Sequence, residues 1–220
     1  MKLLEFNTIS NEGVASLQQS FNNLPETSHK DGKYRLRRYS AIELRTTFWN
    51  AKKEIEITSL PTRDFVQSGE LNKFQGDMTR SFEEIEEHTL QSSGMKEACL
   101  IFKERNNLND GQEVEVHQIR VITLHEETLV APEGVHQDGY DHIAMMGINR
   151  HNVNGGELLV YDSSERSGRR NAEPFICYEL GNGDMAMLAD KKLWHNATPL
   201  VSSGEDGQGY MDLFVFCAKD

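Results

Sequence analysis

The hydrophobic pattern changes period at the turn Asn109-Asp110-Gly111. Beyond that turn Val114, Val116, Ile119, Val121 and Ile122 fall in one extended run, and shorter runs follow at His142–Ile148, Glu157–Asp162, Phe175–Glu179, Asp184–Leu188 and Asp212–Cys217. Turn signals separate them: Asn152-Val153-Asn154-Gly155-Gly156, Ser167-Gly168, Gly181-Asn182-Gly183 and Ser203-Gly204. Ahead of the turn the spacing is mostly helical. Val14, Leu17 and Phe21 after Asn11-Glu12 predict an amphipathic helix that ends near Pro25. Phe82, Ile85 and Glu86 predict a helix over 77–90, and a second is expected over 95–108. Two strands interrupt this half. Tyr34-Arg35-Leu36-Arg37-Arg38-Tyr39 reads as one, with Arg35 and Arg37 on a single face, and Glu54–Ile57 as the other. Helices first and turn-separated strands afterwards imply an α+β chain whose second half is a β-sandwich or jelly roll. A length of 220 residues fits one domain over 1–220, divided into a mostly helical and support-strand part (1–112) and a β core (113–220).

Charge narrows the function. Lys and Arg number 23 against 35 Asp and Glu, a net charge of −12, which repels nucleic acid and anionic membranes alike. No apolar run is long enough to span a bilayer, and residues 1–10 lack the apolar core of a secretory signal, so a cytoplasmic protein is expected. Cys99, Cys177 and Cys217 are far apart, odd in number and in no CxxC pair, which reads as free thiols rather than a disulfide or zinc scaffold.

The most informative string is Pro132-Glu133-Gly134-Val135-His136-Gln137-Asp138-Gly139. His136 and Asp138 are two residues apart, and at the end of a strand that spacing puts both side chains on one face. A third ligand, best supplied by His195 in Trp194-His195-Asn196, completes one face of an octahedron and leaves three positions open. Two imidazoles and a carboxylate in that arrangement suit Fe(II). Asp141, His142 and His151 are rival ligands, and His117 and His125 lie upstream in surface or core positions.

These residues resemble a known family. Glu133 to Gly139, Asn152 to Glu157 and Asp190 to Pro199 (DKKLWHNATP) are similar to the small bacterial Fe(II)/2-oxoglutarate dioxygenases, the branch that includes L-isoleucine hydroxylases acting on free amino acids. YRLRRYS (34–40), NKFQGDMTRSF (72–82) and VHQIRV (116–121) fit the same pattern, so the resemblance runs from about Gly32 to Cys217. It implies a double-stranded β-helix, or jelly roll, with N-terminal helices packed outside, and His136, Asp138 and His195 as the iron ligands. It also implies Fe(II), 2-oxoglutarate and O₂ as cofactors, and a small-molecule substrate, an amino acid, that is hydroxylated while 2-oxoglutarate becomes succinate and CO₂. No catalytic group beyond the metal ligands is expected. Arg35 and Arg37 match positions that would hold a substrate carboxylate.

One departure stands out. Relatives carry an arginine in a Gly-aromatic-Arg-Asp string to anchor the far carboxylate of 2-oxoglutarate; here the string is Gly209-Tyr210-Met211-Asp212. Methionine offers no planar fork of donors. Three readings follow: another cation, with Arg120 leading, serves the carboxylate; a different 2-oxo acid contacts Met211 with an apolar tail; or the chain is an iron-binding jelly roll that uses no 2-oxo acid and serves in stress or regulation. The other residues weighed are Arg80, Asp190 and Trp194, and a basic loop at Arg166-Ser167-Gly168-Arg169-Arg170.

Overall fold

The computed structural model describes residues 2–69, 74–123, 127–162, 173–204 and 207–220. The basic loop at 166–170, His125 and Asn72 lie outside them. Among the described residues twelve strands are formed: β1 (Leu4–Thr8), β2 (Arg35–Trp49), β3 (Lys52–Ser59), β4 (Gln112–Ile122), β5 (His142–His151), β6 (Val153–Gly155), β7 (Leu158–Asp162), β8 (Ile176–Tyr178), β9 (Asp184–Leu188), β10 (Leu193–Ala197), β11 (Leu200–Ser202) and β12 (Tyr210–Ala218). The helices are α1 (Asn11–Gln18), α2 (Glu87–Leu90) and α3 (Ser93–Asn106), with a 3₁₀ turn over Gln19–Asn23.

Seven strands form one antiparallel sheet in the order β1-β9-β5-β12-β4-β2-β3. A smaller sheet, β10-β7-β8, and the pair β11-β6 make up the other strand pairings. This is the jelly roll expected above. Side chains alternate across the large sheet. Val114, Val116, Ala144, Met146, Met185, Phe214 and Phe216 belong to the core shared with Val14, Leu17, Phe21, Met95 and Phe102 of the helical layer. Their neighbours in sequence, Ile119, Val121, Met145, Met211, Leu213 and Val215, line a cavity on the other side. The central strands therefore have a helix face and a cavity face.

The helices follow their sequence signals. Ser10 Oγ accepts from the Gly13 N–H and caps α1; Ser92 Oγ accepts from the Met95 N–H and caps α3. Asn107, at φ 55°, closes α3 in the left-handed region. The N-terminal half is less helical than expected, since it supplies β1 and the longest strand, β2, to the main sheet.

The helix expected over 77–90 shrinks to Glu87–Leu90. Residues before it run alongside β2, where the Tyr39 N–H donates to the Glu83 carbonyl, the Ile85 N–H to Ser40 Oγ, and Arg38 to the Glu84 carbonyl. Those partners satisfy the backbone without helix formation. They also leave Phe82 free to join Phe65 and Tyr39 in an aromatic cluster. Strands β1, β6, β10 and β11 have no counterpart in the sequence reading.

Where α1 meets α3 the backbones touch. A Cβ on Gly94 would lie 2.1 Å from the Gly13 carbonyl oxygen. Gly94→Val therefore forces the helices apart and lowers unfolding free energy by about 2–3 kcal/mol. Urea denaturation measures this loss, and metal affinity stays as in the wild type because the crossing lies on the helix face.

Candidate metal centre

His136 and His195 are brought together by backbone pairing. The His136 N–H donates to the His195 carbonyl and the His195 N–H to the His136 carbonyl, both at 2.9 Å. This bridge ties the HxD segment to β10, and β10 pairs with β7. Asp138 Oδ1 lies 3.6 Å from His136 Nε2, and Asp138 Oδ2 lies 3.4 Å from His195 Nε2. One ligand atom from each of the three lies within 4.8 Å of the others. Donor atoms this close can be shared by a single ion.

The electrostatics favour positive charge at the cluster, and a bound metal ion would take the place of the Nε2 proton of His136. His136 donates from Nδ1 to the Gly134 carbonyl at 2.8 Å, which directs Nε2 at the cluster. Burial opposes charge on His136, but hydrogen bonding and attraction to Asp138, with Glu133 beside it, push it up to about 9. Burial likewise opposes charge on Asp138, and the hydrogen bonds and charges of His136 and His195 overcome it, holding its carboxyl well below the usual range. An anionic carboxylate between two imidazoles, at these separations, fits Fe(II) held by His136, Asp138 and His195.

Behind the cluster stands Asp190, fully buried. Its carboxylate accepts the N–H groups of Asp138, Gly139 and Tyr140 at 3.0, 2.7 and 3.1 Å, and Oδ1 lies 3.6 Å from His195 Nδ1. Gln137 donates to the carbonyls of Asp190 and Leu193. The turn carrying Asp138 is thus fastened to the loop that leads into His195. On the cavity side Gln67 donates to Asp138 Oδ1 at 3.2 Å and accepts from Arg80 at 2.9 Å.

The cavity beside the cluster has a charged end. Arg35, Arg37, Arg80, Glu133 and His117 all line it. Arg35 is paired with Asp31 at 2.8 Å. Arg37, 9% exposed, donates to His117 Nδ1 at 3.0 Å and packs on Phe82 and Phe65. Burial, with Arg35 and Arg80 alongside, pulls Arg37 down to about 9. Burial and the same guanidinium hold His117 well below the usual histidine range, so it is neutral and accepts. The Nε atoms of Arg35, Arg37 and Arg80 are buried without a hydrogen-bond partner.

Of the sequence-derived residues, His136, Asp138 and His195 cluster, and Arg35, Arg37 and Met211 line the adjoining cavity. Arg120 does not join them, which corrects its assignment as the anchor for the co-substrate. It projects from the opposite face of β4, donates to both carboxylate oxygens of Asp212 at 2.6 and 2.7 Å, and lies 3.9 Å from the centre of the Tyr210 ring. Among the rival ligands, His142 is buried against Asp220, Asp141 pairs with Lys191, and His151 stacks on Tyr210. Trp194 sits on β10 opposite Tyr161, next to His195 and outside the cavity lining. Gln67 carries no signal in the sequence, Glu133 appears there only as part of the HxD string, and His117 fits a surface or a core position equally well. Strict alternation along His117, Ile119 and Val121 was the available signal for His117.

The chain belongs to the 2OG-Fe dioxygenase family, whose sequence profile matches residues 18–217. It is an Fe(II)- and 2-oxoglutarate-dependent dioxygenase, with O₂ as the other co-substrate. Among solved structures it resembles a bsmA homolog from Methylobium petroleophilum PM1, with TM-score 0.75 and 22% identity over 94% of this chain and 81% of that one. It also resembles IDO from Bacillus thuringiensis, with TM-score 0.68 and 16% identity over 98% and 91% of the two chains. A third match is the Fe(II)/α-ketoglutarate-dependent dioxygenase TqaL, with TM-score 0.66 and 15% identity over 99% and 82%. These likenesses establish the fold. No curated protein sequence matches the chain. No helix among the described residues is long and apolar enough to cross a membrane.

Asp190→Ala strips three buried N–H groups of their acceptor and releases the turn that carries Asp138. Fe(II) or Mn(II) affinity, read by anaerobic calorimetry, falls about 10–100-fold. Arg120→Gln behaves differently. It strands the buried Asp212 carboxylate and costs about 3–5 kcal/mol of stability in urea melts, with metal affinity unchanged in the folded fraction.

Proposed function

We propose that this dioxygenase hydroxylates a small free amino acid or a close derivative. The observation that carries the reading is Arg37: a buried guanidinium in the cavity wall that makes no ion pair among the described residues and has a buried Nε without an acceptor. Asp31 and Glu133 act on it only at a distance. Arg35 and Arg80 add positive charge, so this end of the cavity favours a carboxylate, and a guanidinium fork suits one geometrically. Glu133 supplies the opposite sign. Its carboxylate lies 3.5 Å from His136 Nε2, has little exposure and lines the same cavity. A carboxylate at Arg37 and Arg35 and an ammonium at Glu133 together describe a zwitterion.

Bound Fe(II) and 2-oxoglutarate supply the oxidising chemistry that places one oxygen of O₂ on a substrate C–H carbon as the oxo acid becomes succinate and CO₂. The chain's own task is placement. Arg37, backed by neutral His117, fixes the carboxylate end of the substrate. Gln67 orients Asp138 while it holds Arg80, linking the substrate end to the ligand cluster. Apolar walls from Val130, Leu158, Leu180 and Val215 exclude water around the side chain to be oxidised. A cytosolic setting accords with Cys99, Cys177 and Cys217, all of them free thiols.

Succinate release from 2-oxoglutarate, screened over the L-amino acids and their decarboxylated amines, tests the reading. An amino acid is expected to stimulate release and its amine not to. Arg37→Gln is expected to raise KM for that amino acid at least tenfold with metal affinity retained. Equal turnover of the amines, or an unchanged KM in Arg37→Gln, would defeat it.

A further inference from the structure

The co-substrate is a dianion, and the part of the cavity wall around Met211 is apolar. Met211, Val121, Leu213, Gly156 and Ala197 form its wall there. A carboxylate buried among them needs a cation. The candidates follow from sheet register. Arg35, Val121, Met211 and Arg150 lie in one row across β2, β4, β12 and β5. Arg35 is two strands from Met211, roughly 10 Å at about 4.8 Å per strand, and stands with Arg37 at the substrate end. Arg150 is the direct partner of Met211, and its Nη1 lies 3.2 Å from the Met211 sulfur.

Arg150 reaches this position through an irregularity. On β5, Gly147 pairs with Leu213 and Asn149 with Asp212, so Ile148 is an extra residue. Residues 143, 145 and 147 line the cavity face, and unbroken alternation would turn residue 150 toward the helices. The bulge resets the parity and aims Arg150 to the same side as Met211. Its remaining partners leave capacity. Nη2 donates to the Gly155 carbonyl and to Glu179, whose carboxylate is 55% exposed and screens weakly. Nη1 faces the Met211 thioether, a poor acceptor, so the guanidinium lies behind Met211 and outside the cavity lining. Met211 is a flexible cover. Gly156 lacks the Cβ that would stand 3.0 Å from its sulfur, so the methionine packs directly on the backbone there, and its unbranched side chain has rotamers to exchange.

We propose that Arg150, supplied from the strand beside Met211, anchors the distal carboxylate of 2-oxoglutarate. This rests on the iron and oxo-acid chemistry of the family and not on which substrate is hydroxylated. The test compares two chelators under anaerobic conditions. 2-Oxopentanoate has the same carboxylate and ketone for iron as 2-oxoglutarate but no distal carboxylate. Titrating each into the Fe(II)-loaded protein and following the visible charge-transfer band gives both dissociation constants. The wild type is expected to bind 2-oxoglutarate at least tenfold more tightly than 2-oxopentanoate. Arg150→Met is expected to remove that preference while leaving 2-oxopentanoate affinity unchanged, and Arg150→Lys, which retains the charge, to keep part of it. Arg150→Met/Met211→Arg is expected to restore it. Equal weakening of both chelators in Arg150→Met means a structural role and overturns the proposal. So does an unchanged preference, or its loss in Arg35→Met instead. Should Arg150→Met not fold, a full preference in Arg150→Gln is the overturning result. No band with either chelator in the wild type overturns the iron reading itself, a separate failure.

Discussion

The centre of the large sheet, β4, β12 and β5, is buried on both faces, and that constraint governs everything placed on it. With a side-chain period of two and no solvent-exposed face across β4, β12 and β5, each residue is committed either to the helices or to the cavity. Phe214 and Phe216 pack with Phe21 and Phe102 on one side while Met211, Leu213 and Val215 face the other. A shift of one residue would exchange the two sets. It would bring Phe214 into the cavity and remove its edge contact with Phe21. The Arg120–Asp212 pair belongs to the helix face for the same reason. Its charges offset each other there, with Tyr210 beneath the guanidinium.

The sequence exposes one half of this constraint and conceals the other. Alternation places Arg35 with Arg37 and separates Arg120 from Ile119 and Val121. It does not say which face is the cavity, because Val114 and Val116 are as apolar as Ile119 and Val121, so Arg120 looked as eligible as its neighbours. The HxD string and His195 were legible because ligand chemistry restricts residue type as well as spacing. Strand β10, which carries His195, was not: Leu193-Trp194-His195-Asn196-Ala197 has no alternation and gains its form from pairing with β7 and with His136. The segment 77–86 failed in the opposite sense. Its helical spacing is real, but β2 offers backbone partners and the Phe82 ring finds Tyr39 and Phe65, so tertiary contacts override the local pattern.

The metal cluster shows how a small jelly roll makes a rigid ligand set from turns. His136 and Asp138 lie outside the named strands. Their geometry comes from two fasteners: the reciprocal bridge to His195 and the Asp190 carboxylate with its three backbone N–H groups. Each fastener links the HxD segment to the stretch 190–195. The three ligands thus move as one body even though nearly sixty residues separate Asp138 from His195. Gln67 extends this body toward Arg80, so the charged end of the cavity is registered against the ligand cluster through two side-chain hydrogen bonds.

Polar groups left unsatisfied are concentrated where ligands enter. The three Nε atoms of Arg35, Arg37 and Arg80 are buried and unpaired, and Arg37 and Arg80 repel each other across the same space. A buried donor without an acceptor costs about 1–3 kcal/mol, so this arrangement is poor for the free fold. Aromatic faces of Phe65 and Phe82 relieve part of the cost by lying against the guanidinium planes. An anion placed between them would offset the rest. Arg37 and Arg80, buried beside the ligand cluster without an ion pair among the described residues, thus give this part of the cavity a preference for negative charge, set against the ligand cluster by Gln67.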